Sequence, residues 1–121
     1  MAAASSSSKD SNLYGALSYL AMPITSAITL LMKPDDKYVK FHSFQGLVLG
    51  IALFAIGLLL SMVSAVLGAT VPIVGLVVSL LVGGVWLLIE IAIWAFCMWK
   101  AYNGEKFKLP VLGDFAEKQV G

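Results

Sequence analysis

The sequence predicts an all-α integral membrane protein with three transmembrane helices, the first of them kinked, followed by an amphipathic C-terminal segment at the membrane surface. Three observations predict it. Of the 121 residues, 60% are hydrophobic and 12% charged, where soluble domains carry about 45–50% and about 25%. Residues 11–32 and 41–89 contain no Asp, Glu, Lys or Arg. As one helix the second stretch would run to more than twice the roughly 30 Å hydrocarbon core, so it turns back at least once. With three spans, Lys33, Lys37, Lys40, Lys100, Lys106, Lys108 and Lys118 all fall on one side, as the positive-inside rule asks.

Residues 1–10 are rich in Ala and Ser and read as a disordered N-terminal tail. The three-span domain covers residues 11–104. Its first helix spans about 12–32, with Ser11 or Asn12 as N-cap and Lys33-Pro34 as the stop. Pro23 removes a donor in the middle and frees the Tyr19 carbonyl, so a kink is expected, with Thr25 and Ser26 compensating. Either Asp35 or Asp36 can cap the second helix, about 37–67. Its first turns hold Tyr38, Lys40, Phe41 and His42, a mixture suited to the interface. Turn chemistry at Gly68–Pro72 places the hairpin there.

The third helix covers about 72–102 and ends at Asn103-Gly104, a left-handed cap. Splitting it at Gly83-Gly84 leaves halves too short for two crossings. In residues 105–121, Phe107, Leu109, Val111, Leu112 and Phe115 alternate with Lys106, Lys108 and Lys118, which suggests an interfacial segment. Asp114 and Glu117 have capping-box spacing. Three spans put the N-terminus outside and the C-terminus on the cytoplasmic side.

Composition also excludes functions. A net charge of +1 without any Arg offers no footprint for nucleic acid. One Cys and one His cannot build a disulfide or a metal framework, so neither metal nor cofactor is expected. His42 and Glu90, the best acid–base pair available, differ in depth by about 14 Å at the predicted registers. No catalytic residues are assigned, and the chain is expected to be non-enzymatic.

Two features stand out within the spans. Gly46, Gly50, Gly57, Ser61, Ser64 and Gly68 recur at intervals of three, four and seven on one face of the second helix. Small residues let backbones approach where lipid gives apolar side chains no reason to associate, so this is a packing seam, toward the other helices or a second copy. Glu90 is the one charge inside a predicted span away from its end turns. Ionised at mid-membrane it costs at least about 2.5 kcal/mol, so it is protonated or faces a partner. Thr25 and Ser26 are candidates by depth, and both a buried hydrogen bond and a proton or ion role stay open. His42, Ser43 and Gln45 read as interfacial anchors that hydrogen-bond to the C-terminal segment.

The run Lys37-Tyr38-Val39-Lys40-Phe41-His42-Ser43-Phe44-Gln45-Gly46, and the later Ala101-Tyr102-Asn103-Gly104-Glu105 with Lys108-Leu109-Pro110, Leu112-Gly113-Asp114 and Ala116, resemble a known family. It is the small membrane-protein family related to the chloroplast Tic-complex import component. The resemblance implies a membrane fold and, through the chloroplast relative, a part in moving proteins across a membrane; it implies no catalytic residues. Phe41, His42, Gln45, Asn103, Gly104, Pro110 and Asp114 carry the motif. Because both motif halves lie at the lysine-rich side, the C-terminal segment is expected to fold back against the mouth of the second helix. The functional expectation is a subunit or accessory of a membrane assembly, with the bilayer and a homo-oligomer or other membrane proteins as partners; the alternative is a small proton- or ion-coupled carrier using Glu90.

Overall fold

The computed structural model describes residues 8–121, so the tail expected over residues 1–7 lies outside the described residues. Five helices follow in order: α1 (Lys9–Leu17), α2 (Ile24–Met32), α3 (Lys37–Thr70), α4 (Pro72–Tyr102) and α5 (Leu112–Val120). They form two compact units. The first runs to Ile51 and resumes over Trp94–Gly121; the second is Ala52–Ile93.

Two helices, α3 and α4, are long and apolar enough to cross a bilayer. The expected kinked first span is replaced by two helices of 9 residues each, about 13.5 Å long and less than half of a roughly 30 Å crossing. Pro23 stands as the N-cap of the second of these helices instead of bending one continuous helix. The helix stops at Leu17, and residues 18–23 form a turn whose main chain is satisfied by side chains. Ser18 Oγ donates to Gly15 O at 2.6 Å, while Ser18 O accepts from Ser26 Oγ at 2.6 Å and Thr25 Oγ1 at 3.2 Å. Leu20 O accepts from the Trp94 indole at 3.0 Å. It is therefore the Ser18 carbonyl, one residue before the expected Tyr19, that Thr25 and Ser26 serve. Non-helical backbone is tolerated at membrane depth when it is satisfied by protein in this way.

The turn reverses the chain against the first half of α3. Ser11 Oγ bonds Asp36, Tyr14 receives the Lys33 ammonium at 4.9 Å, and Thr29 Oγ1 meets Ser43 Oγ at 2.8 Å. The tip lies at Gly50, where an added Cβ would come within 2.6 Å of Pro23 N. Both open ends of the α1–α2 hairpin thus sit at the start of α3. Tyr38, at that same start, also bonds Ala101 O, so the start of α1, the start of α3 and the end of α4 lie together within the first unit. Of the tail expected over residues 1–10, Ser8 caps α1, accepting from Ser11 N at 3.1 Å, and Lys9 and Asp10 belong to α1; Ser8 thus stands where Ser11 or Asn12 was expected as the cap.

In the second unit α3 continues three residues past its expected end, to Thr70, and only Val71 separates it from α4. Pro72, lacking an N–H, opens the next helix at no hydrogen-bond cost. The turn is this tight because Gly68 and Gly75 meet backbone to backbone. At the other end of α4, Gly104 has φ 82°. Glu105 N donates to Lys100 O at 3.0 Å and Gly104 N to Ala101 O at 3.2 Å, the paired bonds of a Schellman cap. The final helix starts at Leu112, two residues before Asp114. Asp114 and Glu117 are not a capping box; both accept from Lys108 at 3.0 Å.

Candidate functional site

The two motif halves meet in one buried polar cluster in the first unit. Tyr38, Phe41, His42 and Gln45 project from consecutive turns of α3, as i, i+3, i+4 and i+7 positions do. The strap of residues 105–109, released by the α4 cap, crosses over them. His42 Nε2 donates to Glu105 O at 3.0 Å, since a carbonyl can only accept. The other ring nitrogen then accepts, so Tyr19 donates its hydroxyl proton to His42 Nδ1 at 2.8 Å. Gln45 Nε2 donates to Tyr19 Oη and to Phe107 O, both at 2.9 Å, and Gln45 Oε1 accepts from Leu109 N at 2.9 Å. Tyr38 Oη donates to Ala101 O at 2.6 Å and also approaches Glu105 O at 3.2 Å.

These bonds run one way, from Gln45 through Tyr19 and His42 to the strap, and are consistent with a neutral imidazole. Rings of Tyr19, Tyr38 and Phe41 stand edge-on around it, with centroids at 5.5, 4.7 and 5.1 Å. The cluster is satisfied, and its chemistry is that of a clamp on main-chain groups. Tyr19 was missed from sequence; a tyrosine ahead of the proline in an apolar stretch was the available signal. Of the remaining motif residues, Asn103 donates to Trp99 O at 2.6 Å, Gly104 turns the chain, and Pro110 opens the turn into α5, its carbonyl accepting from Leu112 N at 2.7 Å.

Lys106 reaches over the Phe41 ring at 4.9 Å and pairs with Glu117 at 3.1 Å. Hydrogen bonds from Lys108, then Lys106, hold the Glu117 carboxyl below the ordinary glutamate range; Glu117 and Asp114 in turn raise the Lys108 ammonium. These ion pairs fold α5 back onto the strap, and Gly113 packs directly on Lys108.

The small-residue seam splits between the units. Gly46 and Gly50 face the α1–α2 hairpin, at Ser18 O and Pro23. Gly57 faces Trp86 and Gly68 faces Gly75 within the second unit. There Gly57, Ser61, Ser64, Ser79, Gly83 and Trp86 line a cavity of about 300 Å³ between α3 and α4. Glu90 is partly exposed on α4 and has no hydrogen bond or ion pair among the described residues; Thr25 and Ser26 are spent on the α1–α2 turn. No group of three or more His, Cys, Asp or Glu suited to a metal ion occurs among the described residues.

Comparison with known proteins places this architecture. A UPF0132 membrane protein of Archaeoglobus fulgidus is 39% identical over 110 residues, covering 91% of this chain and 95% of the relative. A UPF0132 membrane protein of Methanocaldococcus jannaschii is 38% identical over 109 residues, covering 90% of this chain and 87% of the relative. No solved structure matches the chain. The family model described as the magnetosome magnetite crystal formation protein family matches residues 10–116, from the first turn of α1 into α5. Since that match takes in the hairpin, both long helices and the clamped strap, the chain belongs to this family of membrane proteins.

Proposed function

We propose that the protein is a non-enzymatic multi-pass membrane protein that acts as a subunit or accessory of a larger membrane assembly. One contrast between the units carries the reading. In the first unit the polar side chains of the motif are spent on the chain's own backbone and on Tyr19 and Lys108. In the second, Ser61, Ser64 and Ser79 turn to the cavity between α3 and α4 and Glu90 is partly exposed, with no side-chain hydrogen bond or ion pair of theirs among the described residues. Hydrocarbon cannot satisfy them, and a neighbouring helix can. Protein translocation, implied by the resemblance to the import component, and crystal formation, named in the family description, are roles such a subunit could serve; the packing argument requires neither. Crosslinking in native membranes tests it. Recovery of the chain only as a monomer would remove the reading.

Glu90 favours a second reading, a small proton- or ion-coupled carrier, because a partnerless carboxyl in an apolar helix is a default functional candidate. Proteoliposome flux abolished by Glu90→Gln supports it, and flux that survives removes it. For orientation, all eight lysines belong to the segments of the first unit. By the positive-inside rule the start of α1, the α2–α3 loop and the C-terminal segment face the cytoplasm together.

A further inference from the structure

We infer that the α3 face carrying Tyr38, His42 and Gln45 is a main-chain-reading cleft whose occupant is exchangeable, and that the strap of a second copy of this chain fits it as its own does. The inference rests on the assembly reading above. Each hydrogen bond across the contact uses strap backbone: the carbonyls of Glu105 and Phe107 and the N–H of Leu109. Residues 105, 107 and 109 are captured through main-chain groups in alternation, as an added extended strand is held, while the Lys106 ammonium lies over the Phe41 ring and the Phe107 ring meets Phe96. Gln45 does this bidentately, donating to one residue and accepting from the residue two further on.

The occupant is also built to leave as a unit. Residues 106–108 are tied to α5 by the Lys106–Glu117, Lys108–Glu117 and Lys108–Asp114 pairs, and by Gly113 on Lys108. These contacts travel with the strap. Asn103-Gly104, with Gly104 at φ 82°, is the covalent joint to α4; the Lys100–Glu105 pair at 3.0 Å and the Phe96–Phe107 ring contact at 4.9 Å also hold the strap to α4, and they re-form only if the partner's α4 supplies the same groups. A short hinge next to a self-contained element is the arrangement from which identical segments exchange between protomers. The same cleft–strap pair serves in cis and in trans.

Trans-complementation between full-length chains tests this. Gln45→Ala breaks the cleft and leaves the strap intact; Leu109→Pro removes the strap N–H and leaves the cleft intact. Each variant alone is expected to be cut by trypsin after Lys106 at least about tenfold faster than wild type, since cleavage follows the population of the open form. Co-expressed with distinct tags, the Gln45→Ala chain should regain wild-type-like resistance by seating its strap in the Leu109→Pro partner. Gln45→Asn, which keeps the amide but shortens its reach, is run in parallel against loss of fold by Gln45→Ala. Digestion of the mixture as the sum of its two components overturns the exchange, as does resistance of both Gln45 variants alone. If exchange fails while wild-type chains still crosslink in native membranes, the assembly reading stands without it; if wild-type chains are monomeric, that reading falls as well.

Discussion

At the scale of single residues, Gln45 holds more of the site together than any other side chain. Its truncation leaves Phe107 O and Leu109 N unpaired beside α3, and each unsatisfied buried group costs about 1–3 kcal/mol. Gln45→Ala is therefore expected to lose about 2–4 kcal/mol of stability, read as a lowered thermal midpoint in detergent. Glycines separate just as sharply. An added Cβ at Gly50 would press on Pro23 N and Cδ, whereas at Gly83 nothing lies within 4 Å. Gly50→Ala should cost about 1–3 kcal/mol by overpacking, and Gly83→Ala should be neutral or gain up to about 1 kcal/mol from helix propensity. The same unfolding measurement distinguishes them, and equal effects would contradict the packing described. Gly50 was legible in sequence as a close-approach residue. Its partner was not, because periodicity gives the face of a helix and not what lies opposite.

Among the elements, the α1–α2 hairpin is where propensity and outcome part. A stretch of apolar residues with one internal proline fits a kinked span as well as a broken one. The choice fell to Ser18, Thr25, Ser26 and Trp94, whose polar atoms fill the bonds left by the turn. Trp94→Phe should then destabilise the hairpin by about 1–3 kcal/mol, since Leu20 O loses its donor; unchanged unfolding of that variant would mean the turn stands without Trp94. The strap and α5 make an element with a pH window. Glu117 is depressed, so its contribution is present above the ordinary glutamate value of about 4.3 and lost as pH falls through the lower folded value. Lys108 is raised, so its contribution is present below the ordinary lysine value of about 10.4 and lost as pH rises through the higher folded value. A spin label at Lys118→Cys should stay equally immobile from about pH 5 to 9 and become mobile only as pH falls below the ordinary glutamate range. With Glu117→Gln the low-pH transition should shrink, because the Glu117 pairs with Lys106 and Lys108 are gone and only the Lys108–Asp114 pair is left.

For the whole molecule, the distribution of charge is the dominant fact. The second unit carries a single charge, Glu90, and the remaining fourteen belong to the segments of the first. A re-entrant hairpin followed by two crossings puts Lys9 and Lys106 in the same compartment, whereas three crossings separate them. In a Cys97→Ala background, Lys9→Cys and Lys106→Cys should therefore react with an impermeant maleimide from one face of oriented vesicles. Labelling from opposite faces would restore the three-span topology. The sequence by itself determined the membrane class, the two long helices, the Asn103-Gly104 cap and the grouping of the motif residues at the lysine-bearing side. Hydropathy, proline, glycine and charge act locally, and a run of residues displays them in full. Only the tertiary structure decided that the first apolar segment turns back, that Tyr19 completes the cluster, and which atoms of the C-terminal segment Gln45 takes, Phe107 O and Leu109 N. Each depends on which polar atoms find partners once distant segments touch, and that pairing is a property of the folded arrangement rather than of any stretch of chain.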